Sequence, residues 1–495
     1  MTTTVEGTLD HAPSETRREA RARLRESEKN GAQPSGESSG ESSAPAVKKQ
    51  THRNRWLARR GFYNPLRKGA PTTTRQAEVL NTAMIGAPTS PEGIVIGRDQ
   101  LSGATVSHDP FSAYERGIVS SPNVVVFGIL GVGKSSLLKT CYGSRFLLQE
   151  KTRAFIYDKK LRNDGSADAR SEGEYAEITR LFGDEPFRME VEGDSDTTCL
   201  NLLDPVILHG GGVGAQQRLL EAMAELAGST VLNEWERKAL RWSHKSVLSR
   251  FEGESRPPVL EDFINDCALV KDGSEFRGMS QHNRERMEQA AYSIQFMFER
   301  IIADELAGLF DGETSKHVQL NQKVTTFDLS ALPEDGPATS MVMAVGNAWL
   351  MGMLRRSPGY RTVQVTEEGW HLVRGPGARQ LQTNAKLARA LGLSIVTALH
   401  HVSDIQNDSA AIAMIKEAQT VHVYKQEQMD DIDTIVSLFS LDPSNAEELS
   451  HLGHGEHFLK IGSHREVKVK HERSALERQF TDTDAAMSST KREEQ

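Results

Sequence analysis

The chain has 495 residues, 37% of them hydrophobic, which is long enough for one large or two modest domains, each with its own core. It contains no continuous apolar stretch of membrane-spanning length and no basic start before an apolar segment, so neither a membrane span nor a signal peptide is predicted. Three cysteines without close or metal-type spacing exclude a disulfide framework and fit a reducing cytoplasm, while the net charge of −9 argues against a wholly basic nucleic-acid binder.

The N-terminal part divides into two segments of different composition. Residues 1–46 are rich in Ser, Glu, Gly, Pro and Arg, too polar to bury a core, and are predicted to be a disordered tail. Residues 47–90 form a basic arm, and its first part, 47–70, holds eight Lys and Arg residues, three aromatic residues and no carboxylate. Such a stretch suits the phosphates of DNA or of anionic lipid. The alternative is an ordinary docking arm whose charges face water.

The next residues predict strands. Short β-rich runs between Gly and Asp at 93–110 predict a small hairpin at a sheet edge. The run Val124–Phe127 is apolar throughout, as expected of a parallel strand covered on both faces, and residues 154–157 form a second such strand that ends at Asp158. Five further strands are predicted at 323–329, 361–368, 393–399, 420–425 and 456–461.

Between about 206 and 320 the periodicity is helical only, with one long helix predicted from Ser280 to Phe310. We therefore predict a helical insertion at 206–320 that divides one domain into residues 91–205 and 321–482, followed by a disordered tail at 483–495. The alternation of strands and helices predicts an α/β fold with a doubly wound, mostly parallel sheet and ligand sites at the carboxyl ends of its strands.

Residues 128–135, GILGVGKS, match the pattern G-x-x-x-x-G-K-[ST] between a strand and a helix. In such a loop the glycines turn backbone N–H groups toward phosphate oxygens, Lys134 reaches the outer phosphates and the Ser135 hydroxyl ligates Mg²⁺. ATP and Mg²⁺ are therefore the predicted cofactors. The predicted binding residues are Gly128, Gly131, Val132, Gly133, Lys134, Ser135 and Ser136, and Lys134 is also assigned a catalytic role.

Hydrolysis needs a second strand end with a carboxylate. The apolar strand that begins at Val363 delivers two adjacent acids, Glu367 and Glu368. Because side chains at a strand end diverge, we assign Glu367 to the metal and Glu368 to the catalytic base. A surface acid pair is the alternative.

The loop GILGVGKSSLLK and the later segment VTEEGWHLV, residues 365–373, resemble the phosphate loop and D-E-x-W acidic strand of the TraC/VirB-type conjugation ATPases. These are the type IV secretion motors of the HerA/FtsK branch of RecA-like P-loop NTPases. Weaker blocks occur in the expected order, among them LNLLDP at 200–205 and VTTFDLSAL at 324–332, and the resemblance covers about residues 93–482.

The resemblance implies a RecA-like ATPase domain with an inserted all-helical subdomain. It implies a hexameric motor at the cytoplasmic face of the cell membrane, where membrane components of a secretion channel are its partners. Arg389 would stabilise transition-state charge, in the neighbouring subunit's site, and His400 or His401 lies where the family has a Gln that senses the γ-phosphate. An ordinary surface arginine and a structural histidine are the alternatives for Arg389 and His400.

This chain departs from the family pattern in three places. Glu367 replaces the usual Asp, Ala390 replaces a Lys, and a histidine replaces the sensing Gln. The sequence therefore also leaves open two other functions, a DNA-translocating pump or coupling protein of the same branch and a nucleotide-dependent scaffold with little hydrolysis. His451, His454 and His457 have a spacing of three, but we expect a solvated loop there and no zinc.

Overall fold

The computed structural model describes eight parts of the chain, which include no residue of the predicted tail 1–46, the basic arm 47–90 or the tail 483–495. The described residues are 92–162, 172–193, 197–303, 306–319, 321–367, 389–402, 412 and 415–482.

Within these residues, the strands form one eleven-stranded sheet. They are β1 (Ile94–Asp99), β2 (Thr105–His108), β3 (Val124–Phe127), β4 (Thr152–Asp158), β5 (Phe187–Arg188), β6 (Val324–Asp328), β7 (Arg361–Thr366), β8 (Leu393–Leu399), β9 (Thr420–Tyr424), β10 (Glu456–Ile461) and β11 (Val467–His471).

The helices of the described residues are numbered separately. They are α1 (Pro110–Glu115), α2 (Lys134–Leu137, continued by a π-helical stretch Leu138–Ser144 and by Arg145–Leu147), α3 (Ala176–Leu181), α4 (Pro205–Gly211), α5 (Val213–Gly228), α6 (Glu234–Arg250), α7 (Leu260–Ala268), α8 (Gln281–Ala303), α9 (Ala338–Arg356), α10 (Met429–Phe439), α11 (Ala446–His451) and α12 (Ala475–Thr481). No helix among the described residues combines the length and the apolar composition that a bilayer crossing requires.

The sheet has a parallel part and an antiparallel part. Its strand order is β2-β1-β11-β10-β9-β3-β8-β7-β4-β6-β5, and every pair from β9 to β5 is parallel. The pairs from β9 to β2 are antiparallel. The predicted mostly parallel α/β sheet is confirmed, and the predicted hairpin, β1 with β2, lies at one edge.

Both faces of the sheet are covered by helices. Because neighbouring residues of a strand point to opposite faces, β3 supplies two cores: Val124 and Val126 pack in the core that includes α2, whereas Val125 and Phe127 pack in the core that includes α9. All four residues are buried, which explains why this strand is apolar throughout.

Helices α4 to α8 follow one another between β5 and β6 in the chain. One face of α8 is directed inward, since Met287, Ala290, Ile294 and Ile301, which recur at helical spacing, are buried. The prediction of a single helix to Phe310 is wrong: α8 ends at Ala303. Residues 306–309 form a turn in which Gly308 has φ = 92°, a left-handed conformation that interrupts a helix.

Two strands were not predicted. β5 has two residues, too few for any periodicity. In β11 the sequence VKVKH alternates apolar and basic residues over only five positions, a pattern that a solvated loop shares.

Candidate active site

Functional groups meet where the central parallel strands end. In sheet order, Gly128 follows β3, His400 follows β8 and Glu367 follows β7. The next two strands, β4 and β6, end at Asp158 and Asp328. Strands that run in parallel bring their carboxyl ends to one edge. Residues as far apart in the chain as Gly128 and His400 therefore share one site.

The phosphate loop connects β3 with α2. Gly131 and Gly133 have φ values of 73° and 105°, conformations that residues with a Cβ rarely adopt. Gly128 closely approaches β9: a Cβ there would lie 2.6 Å from Cβ of Tyr424. Gly133 caps α2 without a side-chain hydrogen bond, so the first N–H groups of the helix are available to an anion.

Lys134 is buried beneath this loop. Its ammonium donates to the carbonyl oxygens of Gly128 and, at 2.7 Å, Ile129, and to Nδ1 of His400 at 3.1 Å. Burial and, to a smaller extent, the neighbouring Lys160 lower the pKa of Lys134 to about 7, against the opposing effect of Glu367. Phosphate groups in the loop would restore the charge of the ammonium, because an opposite charge at short range favours the ionised form.

Ser135 and Glu367 face each other across the site. The Ser135 hydroxyl donates to Oε2 of Glu367 at 2.7 Å, and the Tyr175 hydroxyl donates to Oε1 at 2.7 Å. Nζ of Lys160 lies 2.9 Å from Oε2 of Glu367 and donates to Oγ of Ser135 at 3.1 Å. Glu367 is 3% exposed. Burial would raise its pKa, but Lys160 and Lys139 together outweigh burial and lower it to about 2.

This arrangement fits a magnesium ion. Mg²⁺ prefers oxygen ligands and takes one or two from the protein together with phosphate and water oxygens. The Ser135 hydroxyl and the ionised Glu367 carboxylate supply two such oxygens within hydrogen-bonding distance of each other. The extra methylene of Glu367 relative to Asp does not separate them.

Two buried aspartates position Tyr175. Oδ2 of Asp158 accepts the Tyr175 backbone N–H at 2.6 Å, and Oδ2 of Asp328 accepts the Gly173 N–H at 2.9 Å. Burial and the neighbouring Asp328 raise the pKa of Asp158 well above its usual value. Between these two contacts lies Glu174, which pairs with the buried Lys139 at 2.6 Å.

A basic cavity of about 480 Å³ adjoins the other side of the phosphate loop. Gly133 and Ser136 line it, together with Lys470, Arg473 and Arg478 of the C-terminal part. Nη1 of Arg473 lies 3.4 Å from the Ser136 hydroxyl. Its lining carries two arginines and a lysine against the single carboxylate of Glu472, a net positive charge that suits phosphate oxygens held at the loop.

The predicted site residues fall into three groups. The phosphate loop, Glu367 and His400 come together, and His401 instead pairs with Asp431 of α10 at 2.9 Å. Glu368 lies outside the described residues. Arg389 begins a short 3₁₀ turn just before β8, at the amino end of that strand. The phosphate loop of the same chain lies at the carboxyl ends of the parallel strands.

The histidines at 451, 454 and 457 differ from the prediction in one respect. His451 and His454 are exposed, as expected of a solvated loop. His457 is buried in β10, where its ring stacks on Tyr424 with a centroid separation of 4.7 Å. The prediction was wrong for His457 because strand β10 turns this side chain into the core beneath α2.

Three residues that interact at the site were given no role from the sequence: Lys139, Lys160 and Tyr175. Glu174-Tyr175 is part of the family-like segment, so a signal existed without an assigned role. Lys160 follows the strand-ending Asp158 by two residues, which is where a side chain can reach a ligand site.

No protein-family model and no curated protein matches the chain. Among solved structures, the chain is similar to VirB4 of Thermoanaerobacter pseudethanolicus, with a TM-score of 0.62 and 20% identity over 79% of this chain and 100% of that one. It is also similar to the bacterial conjugative coupling protein TrwB, with a TM-score of 0.52 and 15% identity over 81% and 92%. TrwB in complex with ADP and Mg²⁺ gives 0.50 and 16% over 78% and 90%.

The chain has the fold of VirB4 and TrwB. This confirms the RecA-like P-loop NTPase fold that the sequence predicted from its phosphate loop and acidic strand.

Proposed function

We propose that the protein is an ATP-hydrolysing motor of a conjugative type IV secretion system. The observation that carries the proposal is the meeting of Lys134, Ser135 and Glu367 at one sheet edge, with Ser135 Oγ 2.7 Å from Glu367 Oε2. These are the groups that a Mg²⁺-nucleotide complex requires in a P-loop ATPase. The fold shared with VirB4 and TrwB supports the motor class, and TrwB has been solved with ADP and Mg²⁺.

Substrate binding follows from the loop. The N–H groups of residues 131–136 bind the phosphates, and Lys134 exchanges its contacts with the loop carbonyls for the outer phosphates. Ser135 and Glu367 would hold Mg²⁺, which would supply positive charge to the phosphate groups. The basic cavity beside Ser136 adds positive charge next to the phosphate loop.

Hydrolysis requires a base and a group that responds to the γ-phosphate. We assign the base to Glu368, the residue after Glu367, and the response to His400, whose Nδ1 accepts from Lys134. When Lys134 turns to a phosphate, His400 loses this donor. Because His400 directly follows β8, the position of this strand's end would depend on whether a phosphate occupies the loop.

We further propose that the protein forms a homo-oligomer, a hexamer, at the cytoplasmic face of the membrane. Membrane components of the secretion channel are its partners. The basic stretch 47–70, with DNA or anionic lipid as its ligand, is one route of attachment.

Phosphate release by the purified protein tests the catalytic assignment. Lys134→Ala removes the cation that contacts the outer phosphates, and we expect a loss of roughly 100-fold or more. Glu367→Gln should lower the affinity for Mg²⁺ roughly 10- to 100-fold, since it removes a charged ligand. Lys271→Ala, an exposed lysine in the helical segment, is the matched control and should behave as wild type. Wild-type rates in Lys134→Ala would reject the assignment.

The same assay separates two alternatives. The similarity to TrwB favours a DNA-translocating pump or coupling protein as second candidate, and phosphate release stimulated by DNA would select it. Tight ATP binding without phosphate release would select a nucleotide-dependent scaffold. Hydrolysis that is insensitive to DNA and responds to membrane partners supports the secretion motor.

A further inference from the structure

Lys160 is held at the two oxygens that we assign to Mg²⁺. Its Nζ lies 2.9 Å from Glu367 Oε2 and 3.1 Å from Ser135 Oγ. The ammonium thus completes a triangle whose third side is the 2.7 Å hydrogen bond from Ser135 to Glu367.

An ammonium and a metal ion that share this pair of oxygens compete for them. Mg²⁺ binds its ligands at about 2.0–2.1 Å, which would place it within about 3 to 4 Å of Nζ as it now lies. The ammonium has no lone pair and cannot become a ligand. Two positive charges at that separation repel each other strongly in a partly buried site.

Glu367 nevertheless needs a cation when it is ionised. The carboxylate is almost fully buried, and in the described part of the chain its other oxygen accepts a hydrogen bond from the neutral Tyr175 hydroxyl and from no cation. A buried charge without a partner is strongly unfavourable. The Lys160 side chain is 24% exposed, and its flexible stem gives it room to leave toward solvent or toward a phosphate.

We propose that Lys160 is an internal counter-ion that competes with the divalent metal for Glu367 and Ser135. In the free protein Lys160 neutralises Glu367 and keeps both oxygens in place. Metal arriving with the nucleotide displaces the ammonium, which then turns to the nearby terminal phosphate. Lys160 thereby makes metal binding depend on nucleotide. This inference rests on the proposed function, because it uses the same metal ligands.

Binding of Mn²⁺ alone to the full chain, measured by electron paramagnetic resonance, tests the proposal without ATP hydrolysis. We expect weak Mn²⁺ binding in wild type and at least about tenfold tighter binding in Lys160→Met, because the competing charge is gone. Lys160→Gln, which keeps a hydrogen-bond donor without the charge, should also bind tighter. Lys160→Arg keeps the charge and should resemble wild type.

Thermal unfolding provides a second readout. Lys160→Met should unfold at a lower temperature than wild type, and millimolar Mg²⁺ without nucleotide should reverse the loss, since a ligand that binds the folded state stabilises it. Lys159→Met is the matched control. It removes the preceding lysine, which pairs with Glu334 at 3.1 Å and not with Glu367, so Mg²⁺ should not rescue it.

Unchanged Mn²⁺ affinity in both Lys160→Met and Lys160→Gln would overturn the proposal, whatever the wild-type affinity. Failure of this proposal and failure of the proposed function give different results. A gain in Mn²⁺ binding in a protein that releases no phosphate would leave Lys160 as counter-ion and reject the motor. Hydrolysis by wild type with no gain in the variants would reject only the role of Lys160.

Discussion

At the scale of single residues, Gly173 shows how closely the site is packed. A Cβ at this position would lie 2.2 Å from Oδ2 of Asp158 and 3.0 Å from Oδ1 of Asp328. The missing side chain allows the backbone to reach both buried carboxylates. The same turn carries Tyr175, whose hydroxyl orients Glu367.

We predict that Gly173→Ala destabilises the fold by about 1–3 kcal/mol, the usual cost of overpacking a buried position. Displacing Tyr175 should also reduce the rate of phosphate release. Gly278→Ala is the control, since a Cβ there meets nothing within 4 Å. Denaturant unfolding measures the difference, and equal stability of the two variants would contradict the contact with Asp158.

At the scale of elements, strand β8 separates two of the predicted catalytic residues. Its seven residues, Leu393–Leu399, are preceded by the turn that begins at Arg389 and followed by His400. A strand of this length spans about 23 Å. His400 reaches Lys134 of its own chain, and Arg389 begins at the opposite edge. This separation along the strand is compatible with the proposed role of Arg389 in a neighbouring subunit's site.

If Arg389 acts in trans, mixing two inactive variants should restore phosphate release. Consider an oligomer assembled at random from equal amounts of Arg389→Ala and Lys134→Ala. Each interface takes its loop from one subunit and its arginine from the next, and each is intact in half of the cases, so about a quarter of the interfaces would combine an intact loop with an intact arginine. Activity approaching about a quarter of wild type is expected. A mixture as inactive as its components would assign Arg389 to another role.

The elements also show what the sequence can predict. Val124–Phe127 and the loop after it were predictable because the all-apolar run and the glycine spacing are local. The contact of Lys160 with Glu367 was not, since it depends on β4 and β7 being neighbours in the sheet. Strand β11 was not predicted either, because its alternation of lysines with valines is too short to distinguish a strand from a solvated loop.

At the scale of the whole molecule, four buried histidines lie among β2, β9, β10 and β11: His108, His422, His457 and His471. Burial is the main cause that lowers their pKa values, to about 4 for His108, about 3 for His457 and His471, and well below the usual value for His422. Neither ring nitrogen of His457 has a hydrogen-bond partner among the described residues.

Because these pKa values are lower in the folded protein than in the unfolded chain, the unfolded chain takes up protons first as the pH falls below about 6.5. The free energy of unfolding should therefore decrease, by on the order of 1 kcal/mol per histidine per pH unit, until the folded pKa values are reached. His457→Phe should lessen the decrease, whereas the exposed His451→Phe should not. Unfolding curves at pH 7.5 and 5.5 measure it; equal decreases in both variants would contradict the prediction.

The two outermost strands of the sheet are short: β2 has four residues and β5 has two. An edge of this length offers few unpaired backbone groups to a strand from another molecule. If copies of this chain assemble into a ring, these short edges disfavour contacts that extend the sheet from one subunit to the next. Contacts between side chains on helices and loops are then favoured, and such contacts can form and break without the loss of backbone hydrogen bonds between strands.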